Sequence, residues 1–252
     1  MEHLCFFYWV KFTIFMTISY SSYAYDSQYG RESEIPEPLL FDLVRRINSD
    51  KGELEVNSLF VQTDASEMKG VYVAPEVEYA FAEGKAFELE LPTIDGKIKT
   101  FKSALQFELP NWWGDITGTQ IMHEKVNGKS VNETTLLLLS GKRLNEKWSI
   151  FSMIGNRFVY GNSPTIKDSK WRELPIVNVN LFYDYAEVFD LGLETNLRGV
   201  GASFEELIIM PQIHALMAKD FKLQAGFGAS YDGYQFSPIT AFRLIKEFNN
   251  GH

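Results

Sequence analysis

The 252-residue sequence predicts an all-β chain, and within that class a closed antiparallel transmembrane β-barrel of about twelve strands behind a short N-terminal leader. Three observations carry this. From Gly52 onward apolar and polar residues alternate with period two, the mark of strands whose two faces meet different surroundings. The alternating segments run about 10–12 residues, longer than the usual ~5–6 of soluble strands and close to the ~9–11 tilted residues that cross a bilayer. Aromatic residues are abundant, 15% of the chain with 20 Phe and 12 Tyr, and they gather at the ends of the apolar faces. Tyr79, Phe81, Trp112, Trp113, Trp148 and Trp171, with Tyr183, Tyr185, Tyr231 and Phe248, suit girdles at two membrane interfaces.

Composition narrows the function. With 45% apolar and 23% charged residues, disorder, collagen and coiled coil are excluded. A net charge of −9 argues against nucleic acid as a partner, since phosphate contacts need surplus Lys and Arg. Residues 1–24 read as a secretory signal peptide: an apolar run Leu4–Ile18, small residues from Ser19, and a Ser22-x-Ala24 cleavage site. Cys5, the single cysteine, lies within it, so the exported remainder has neither disulfides nor thiolate metal ligands.

Residues 25–51 form a polar leader with Pro36 and Pro38, in which Leu39–Ile47 could wind into a short amphipathic helix that plugs one mouth of the barrel or rests at its rim. The barrel is expected over 52–248, in segments at about 52–63, 70–81, 86–94, 97–109, 116–126, 131–142, 147–156, 174–185, 189–198, 203–216, 221–231 and 236–248, with a tail at 249–252. Turn chemistry separates them at Glu83-Gly84, Asp95-Gly96, Asn127-Gly128, Gly199 with Gly201, and Asp232-Gly233. In an even-stranded barrel the longest connection, 157–173, falls opposite the chain ends, where such barrels carry long loops. Pro75, Pro211 and Pro238 interrupt the strand pattern and are expected at bulges or strand ends.

Parity assigns an inward polar face. Candidate lumen-lining residues, open to solute or ion contact, are Glu76, Glu78, Glu88, Glu90 and Glu108 on the early strands and Glu194, Arg198, His214, Lys222 and Arg243 on the late ones. They describe either a packed lumen of paired charges or a water-filled acidic passage. In a closed barrel the last strand neighbours the first, which would set Arg243 facing Glu53 or Glu55. His123, His214 and His252 fall in no metal-ligand spacing, no phosphate loop is present, and no cofactor is expected.

The segments Gly52-Glu-Leu-Glu-Val-Asn57, Pro75-Glu-Val-Glu-Tyr-Ala-Phe81 and Phe87-Glu-Leu-Glu-Leu-Pro92 resemble a poorly characterised family of outer-membrane transporter-like barrels grouped with phenol-degradation meta-pathway proteins. The resemblance covers roughly residues 35–110. It implies an outer-membrane barrel, a channel for small organic molecules, and no catalytic residues.

The expectation is therefore a non-enzymatic passive pore for small solutes in the outer membrane of a Gram-negative cell. Its other partners are outer-membrane lipid and the barrel-assembly machinery, engaged through a last strand that ends on Phe248. The alternatives are a non-conducting structural or lipid- or ligand-binding barrel and, third, a barrel lipid hydrolase using His214.

Overall fold

The structure, a computed structural model, describes residues 35–41, 47, 49–63, 70–112, 114–161, 171–199 and 204–248. The signal peptide, residues 25–34 of the leader, positions 42–46 of the expected helix, Trp113 and the tail 249–252 lie outside the described residues. The described parts of the expected helix, 39–41 and 47, are bend and turn, and there is no helix among the described residues.

Fourteen strands form one sheet: β1 (Leu54–Thr63), β2 (Gly70–Ala82), β3 (Lys85–Glu90), β4 (Thr93–Ile94), β5 (Lys97–Ile98), β6 (Thr100–Leu109), β7 (Ile116–Val126), β8 (Val131–Arg143), β9 (Trp148–Gly161), β10 (Trp171–Ala186), β11 (Phe189–Arg198), β12 (Glu206–Ala218), β13 (Phe221–Tyr231) and β14 (Phe236–Phe248). Twelve make the wall, each antiparallel to its neighbours, and β4 and β5 are a small hairpin attached to β2. The wall closes because β1 pairs on both edges: Leu54 lies opposite Tyr79 of β2 and opposite Phe248 of β14. Closure leaves no strand of the twelve-stranded wall at a free edge, the condition for a sheet to cross hydrocarbon.

The polarity of the wall is inverted relative to a soluble protein. Outward positions carry exposed apolar side chains all round, among them Val56, Leu89, Leu105, Leu136, Val179 and Leu193. Inward positions carry most of the polar ones, with Glu76, Glu88, Asn178, Asn180, Glu194 and Arg243 all 3% exposed or less. Aromatic rings collect near both rims. Toward the chain ends Trp148 lies 4.8 Å from Tyr183 and Tyr79 sits edge-on to Phe87; at the far end Tyr231 stacks on Phe236 at 4.7 Å.

The prolines sit where a ladder stops. Pro75 lies where β3 leaves β2, with the Leu91 N–H donating to its carbonyl at 3.1 Å. Pro211 falls in the gap between the Ile209↔Ala229 and Gln212↔Gly226 pairs, and Pro238 lies just beyond the last β1–β14 pair, Thr63↔Ile239. A missing N–H therefore costs no ladder bond at these points. Pro92 ends the expected third strand early, and the chain makes the β4–β5 hairpin through Asp95-Gly96, with φ of 50° and 74°.

The expected long connection 157–173 is shorter than the sequence reading. β9 runs to Gly161 and β10 begins at Trp171, so only 162–170 remain, outside the described residues. Alternation fails at Gly155-Asn156-Arg157, yet those residues keep the ladder, Asn156 opposite Pro175 and Arg157 opposite Leu174.

Two outcomes are expected. Leu193→Arg, on the lipid face midway along β11, should lower stability by about 2–4 kcal/mol in reversible unfolding from bilayers. In the turn after β13, the Asp232 carboxylate accepts the N–H groups of Tyr234 and Gln235, both at 2.9 Å. Those bonds favour the charged form and hold its pKa below the ordinary carboxylate value. The turn is thus supported above that value and loosens as pH falls through the lowered folded pKa. Carboxyl NMR should find Asp232 titrating below a model aspartate, with faster exchange of the Tyr234 and Gln235 amides once it protonates.

Candidate functional site

The early strands build an acidic wall. Glu55 on β1, Glu76 and Glu78 on β2, and Glu88 and Glu90 on β3 all point inward, because each Glu-x-Glu spacing repeats the strand period of two. The register sets Glu55 beside Glu78, Glu78 beside Glu88, and Glu76 beside Glu90. So many carboxylates in one buried surface require compensation. Lys102 of β6 supplies part of it, forming a short ion pair with Glu90 and lying 3.6 Å from Glu88. Asn57 donates through Nδ2 to Glu55 at 3.1 Å and to Glu78 at 2.6 Å, and the Tyr72 hydroxyl donates to Glu90 at 3.2 Å.

Arg243 is 1% exposed, and its charged neighbours are Glu76, Glu78, Glu37 and Glu90. It does not face Glu53 or Glu55: the β1–β14 register sets Leu59 opposite Arg243 and Glu247 opposite Glu55. Carboxyl oxygens of Glu76, Glu88 and Glu90 lie within 4.8 Å of one another, but the cations beside them supply the countercharge that a metal ion would otherwise bring.

Across the lumen stands an amide wall. Asn178 and Asn180 of β10 and Glu194 and Asn196 of β11 are all buried. Asn196 Nδ2 donates to Glu194 Oε1 at 2.8 Å, and Asn178 Nδ2 reaches the same oxygen at 3.3 Å. What these residues hold is the chain's own N-proximal segment. Glu194 Oε2 accepts the N–H of Leu39 at 2.9 Å and of Leu40 at 3.0 Å, while Oε1 accepts the N–H of Phe41 at 2.9 Å. Three successive backbone amides around one carboxylate form an anion nest, with a side chain of the wall as its anion.

The segment's side chains confirm that it lies inside the barrel. Leu39 packs against the inward residues Leu59, Val61, Ala74, Met210, Ile239 and Ala241. Ile47 packs against Leu137, Leu139, Phe151, Met153, Ile176 and Phe182. Two inward glycines make room. A Cβ on Gly226 would come within 2.8 Å of Leu39, and one on Gly118 within 3.2 Å of Ile47. Gln224 adds a weak 3.5 Å hydrogen bond to the Glu37 carbonyl.

The remaining sequence candidates lie elsewhere. Glu108 is exposed at the rim nearest the chain ends, close to Gly84. Lys222 pairs with Glu247 at 2.7 Å at the same rim. Arg198 pairs with Glu206 at the opposite end. His214 is buried against the Phe182 ring, centroids 5.4 Å apart, and its strand neighbours are Asp190 and Gln224. It points into the barrel, away from lipid. Sequence reasoning left open whether 39–47 plugs a mouth of the barrel or rests at its rim, and missed both the hold of Glu194 on residues 39–41 and Arg157, which it assigned to a loop; the inward glycines were a signal it did not use.

A closed antiparallel wall with an apolar exterior and a hydrogen-bonded polar interior defines a transmembrane β-barrel of outer-membrane type. No family model and no curated protein matches the sequence. Among solved structures the chain is similar to the KdgM porin in complex with disordered oligogalacturonate, with TM-score 0.60 and 11% identity over 77% of this chain and 99% of that one. It is similar to the NanC porin at TM-score 0.57 and 10% identity, over 78% and 99%. It is also similar to an outer membrane channel from Pseudomonas putida F1 at TM-score 0.55 and 12% identity, over 80% and 98%. At these identities the likeness is one of fold.

Asn57→Leu should destabilise the barrel by about 2–3 kcal/mol, because it strips charge-assisted donors from two buried carboxylates. The check is a lower urea midpoint with an unchanged slope.

Proposed function

We propose that the chain is a passive outer-membrane channel for small solutes whose bore is closed at rest by its own N-proximal segment, through residues 35–41 and Ile47. The observation that carries this reading is the Glu194 carboxylate, buried in the lumen and holding the amides of Leu39, Leu40 and Phe41. A barrel that served only as a scaffold could fill its bore with wall side chains, as narrow barrels do. Here the filling is a separate stretch of chain, seated on glycines and fixed by one carboxylate, an arrangement that can leave without unzipping any strand pair. The fold shared with porins and with the Pseudomonas putida F1 channel supports the same direction.

The apolar belt places the barrel in lipid, and the even strand count puts both ends of the wall on one side, which we assign to the periplasm. Phe248, outward on the last strand, is the residue offered to the assembly machinery. The kinship implied by the Glu-rich motifs, with barrels grouped among phenol-degradation proteins, fits a channel for small organic molecules. In this reading the motif glutamates act as a rigid buried wall, since Glu76, Glu78, Glu88 and Glu90 are at most 3% exposed. His214 acts in packing, and a lipid hydrolase finds no support in its inward position.

Glutamine in place of Glu194 has one acceptor oxygen where the carboxylate has two, so an NH₂ group must face amide donors that Oε1 or Oε2 now accepts. In planar bilayers the wild-type chain should pass rare, brief currents, and Glu194→Gln should pass frequent or sustained ones, as should a chain lacking 35–49. Silence in all three would mean a non-conducting barrel. Equal, sustained conductance in all three would mean that the segment closes nothing.

A further inference from the structure

Beyond the closing segment, on the side away from the chain ends, the lumen holds a cavity of about 230 Å³. Its floor is Leu40 and Phe41, and its wall carries the apolar Leu59, Val61, Met122, Ile176 and Ile208. Among them stand three cationic side chains, Lys102 of β6, Arg157 of β9 and Arg198 of β11, with one carboxylate, Glu124 of β7. The carboxylates that pair with the three cations, Glu90, Glu133 and Glu206, are not among the lining residues. The cavity therefore offers an occupant both apolar and cationic groups, with Arg157 of β9 across the barrel from Leu59 and Val61 of β1.

Arg157 gives this mixed lining a direction. Its Nη1 lies 3.3 Å from Glu133, while its Nε–H is buried without a hydrogen-bond acceptor. A guanidinium carries five donors in a planar fork, so engaging one carboxylate leaves others to serve. A buried donor without an acceptor is unfavourable and gains from one supplied by a ligand. Volume limits the rest of that ligand: a cavity of about 150 Å³ holds benzene, so this one admits a single ring or a short alkyl chain with a head group.

We infer that this cavity is a binding site for a small amphipathic monocarboxylate, its apolar body against Leu59, Val61 and Ile208 and its carboxylate on Arg157. The site selects against cations because three positive side chains line it, and against a second negative charge because Glu124 stands opposite Lys102 in the β6–β7 register. The ligand would rest on Leu40 and Phe41, whose amides Glu194 holds. The inference rests on the channel reading for its purpose and on the cavity alone for its chemistry.

Calorimetry on the refolded full chain in detergent tests it, with benzoate and benzylamine as probes against wild type, Arg157→Gln and Leu40→Trp. Benzoate should bind wild type saturably and benzylamine should not. Arg157→Gln should weaken benzoate about ten-fold or more, the size of one charge-assisted hydrogen bond. Leu40→Trp should also weaken it, by filling the cavity from the floor. Both variants should keep the gel mobility of a folded barrel. No benzoate binding to wild type, equal binding to folded Arg157→Gln, or equal binding of benzylamine would overturn the site. Benzoate binding with no current in any channel variant would keep the site and remove the channel; current without binding would do the reverse.

Discussion

Everything inside this barrel follows from what lies outside it. Once the wall faces hydrocarbon, every strand N–H and C=O must find a partner within the sheet, and only a closed sheet provides one for each. Closure falls to β1, which pairs along its length with β2 on one side and β14 on the other. With apolar residues committed to the exterior, the polar face of each strand turns inward, where water no longer solvates it. The lumen must then be satisfied by its own groups, by water or by another piece of chain.

Two halves of the interior meet that demand differently. On β1–β3 the carboxylates are numerous and close, and Lys102, Arg243, Asn57 and Tyr72 bring the donors and the countercharge. On β10 and β11 a single carboxylate, Glu194, is surrounded by amides of the wall and of residues 39–41. The first arrangement is internal to the wall and makes it rigid. The second joins the wall to a segment outside the sheet, so it can be broken while every strand stays in place. On the proposed reading that difference locates the moving part, and leaves the cation-lined cavity beyond it as the place where a solute would meet the segment first.

The wall was legible in the sequence because its signal is local. Glu76-Val77-Glu78 and Glu88-Leu89-Glu90 state both faces of a strand within three residues, and Asp95-Gly96 announces its turn. The ends of β9 and β10 were not legible, since Gly155 puts no side chain inward and Asn156 puts a polar one outward, which erases the alternation that the ladder nevertheless keeps. Arg243 was assigned to the right interface and the wrong level, because register across the closing pair is set by the whole β1–β14 ladder and not by any residue near it. A plug at 39–47 was one of two positions the sequence left open, but the hold of Glu194 on it was harder still to see. Leu39 and Glu194 are 155 residues apart, and Pro36 with Pro38 read as leader. Its traces in the wall were absences: Gly118 and Gly226 at inward positions, where a lumen-facing side chain would otherwise stand.

The most direct test of the account is the accessibility of position 39. In a Cys5→Ser background, Leu39→Cys would be treated in bilayers with a charged, membrane-impermeant thiol reagent, with and without Glu194→Gln. The account predicts slow labelling while Glu194 holds the segment, because the side chain at 39 is sealed against β1, β2, β12 and β14, and many-fold faster labelling once the carboxylate is replaced. Equally fast labelling in both proteins would contradict it, since the segment would then not be held in the lumen at all.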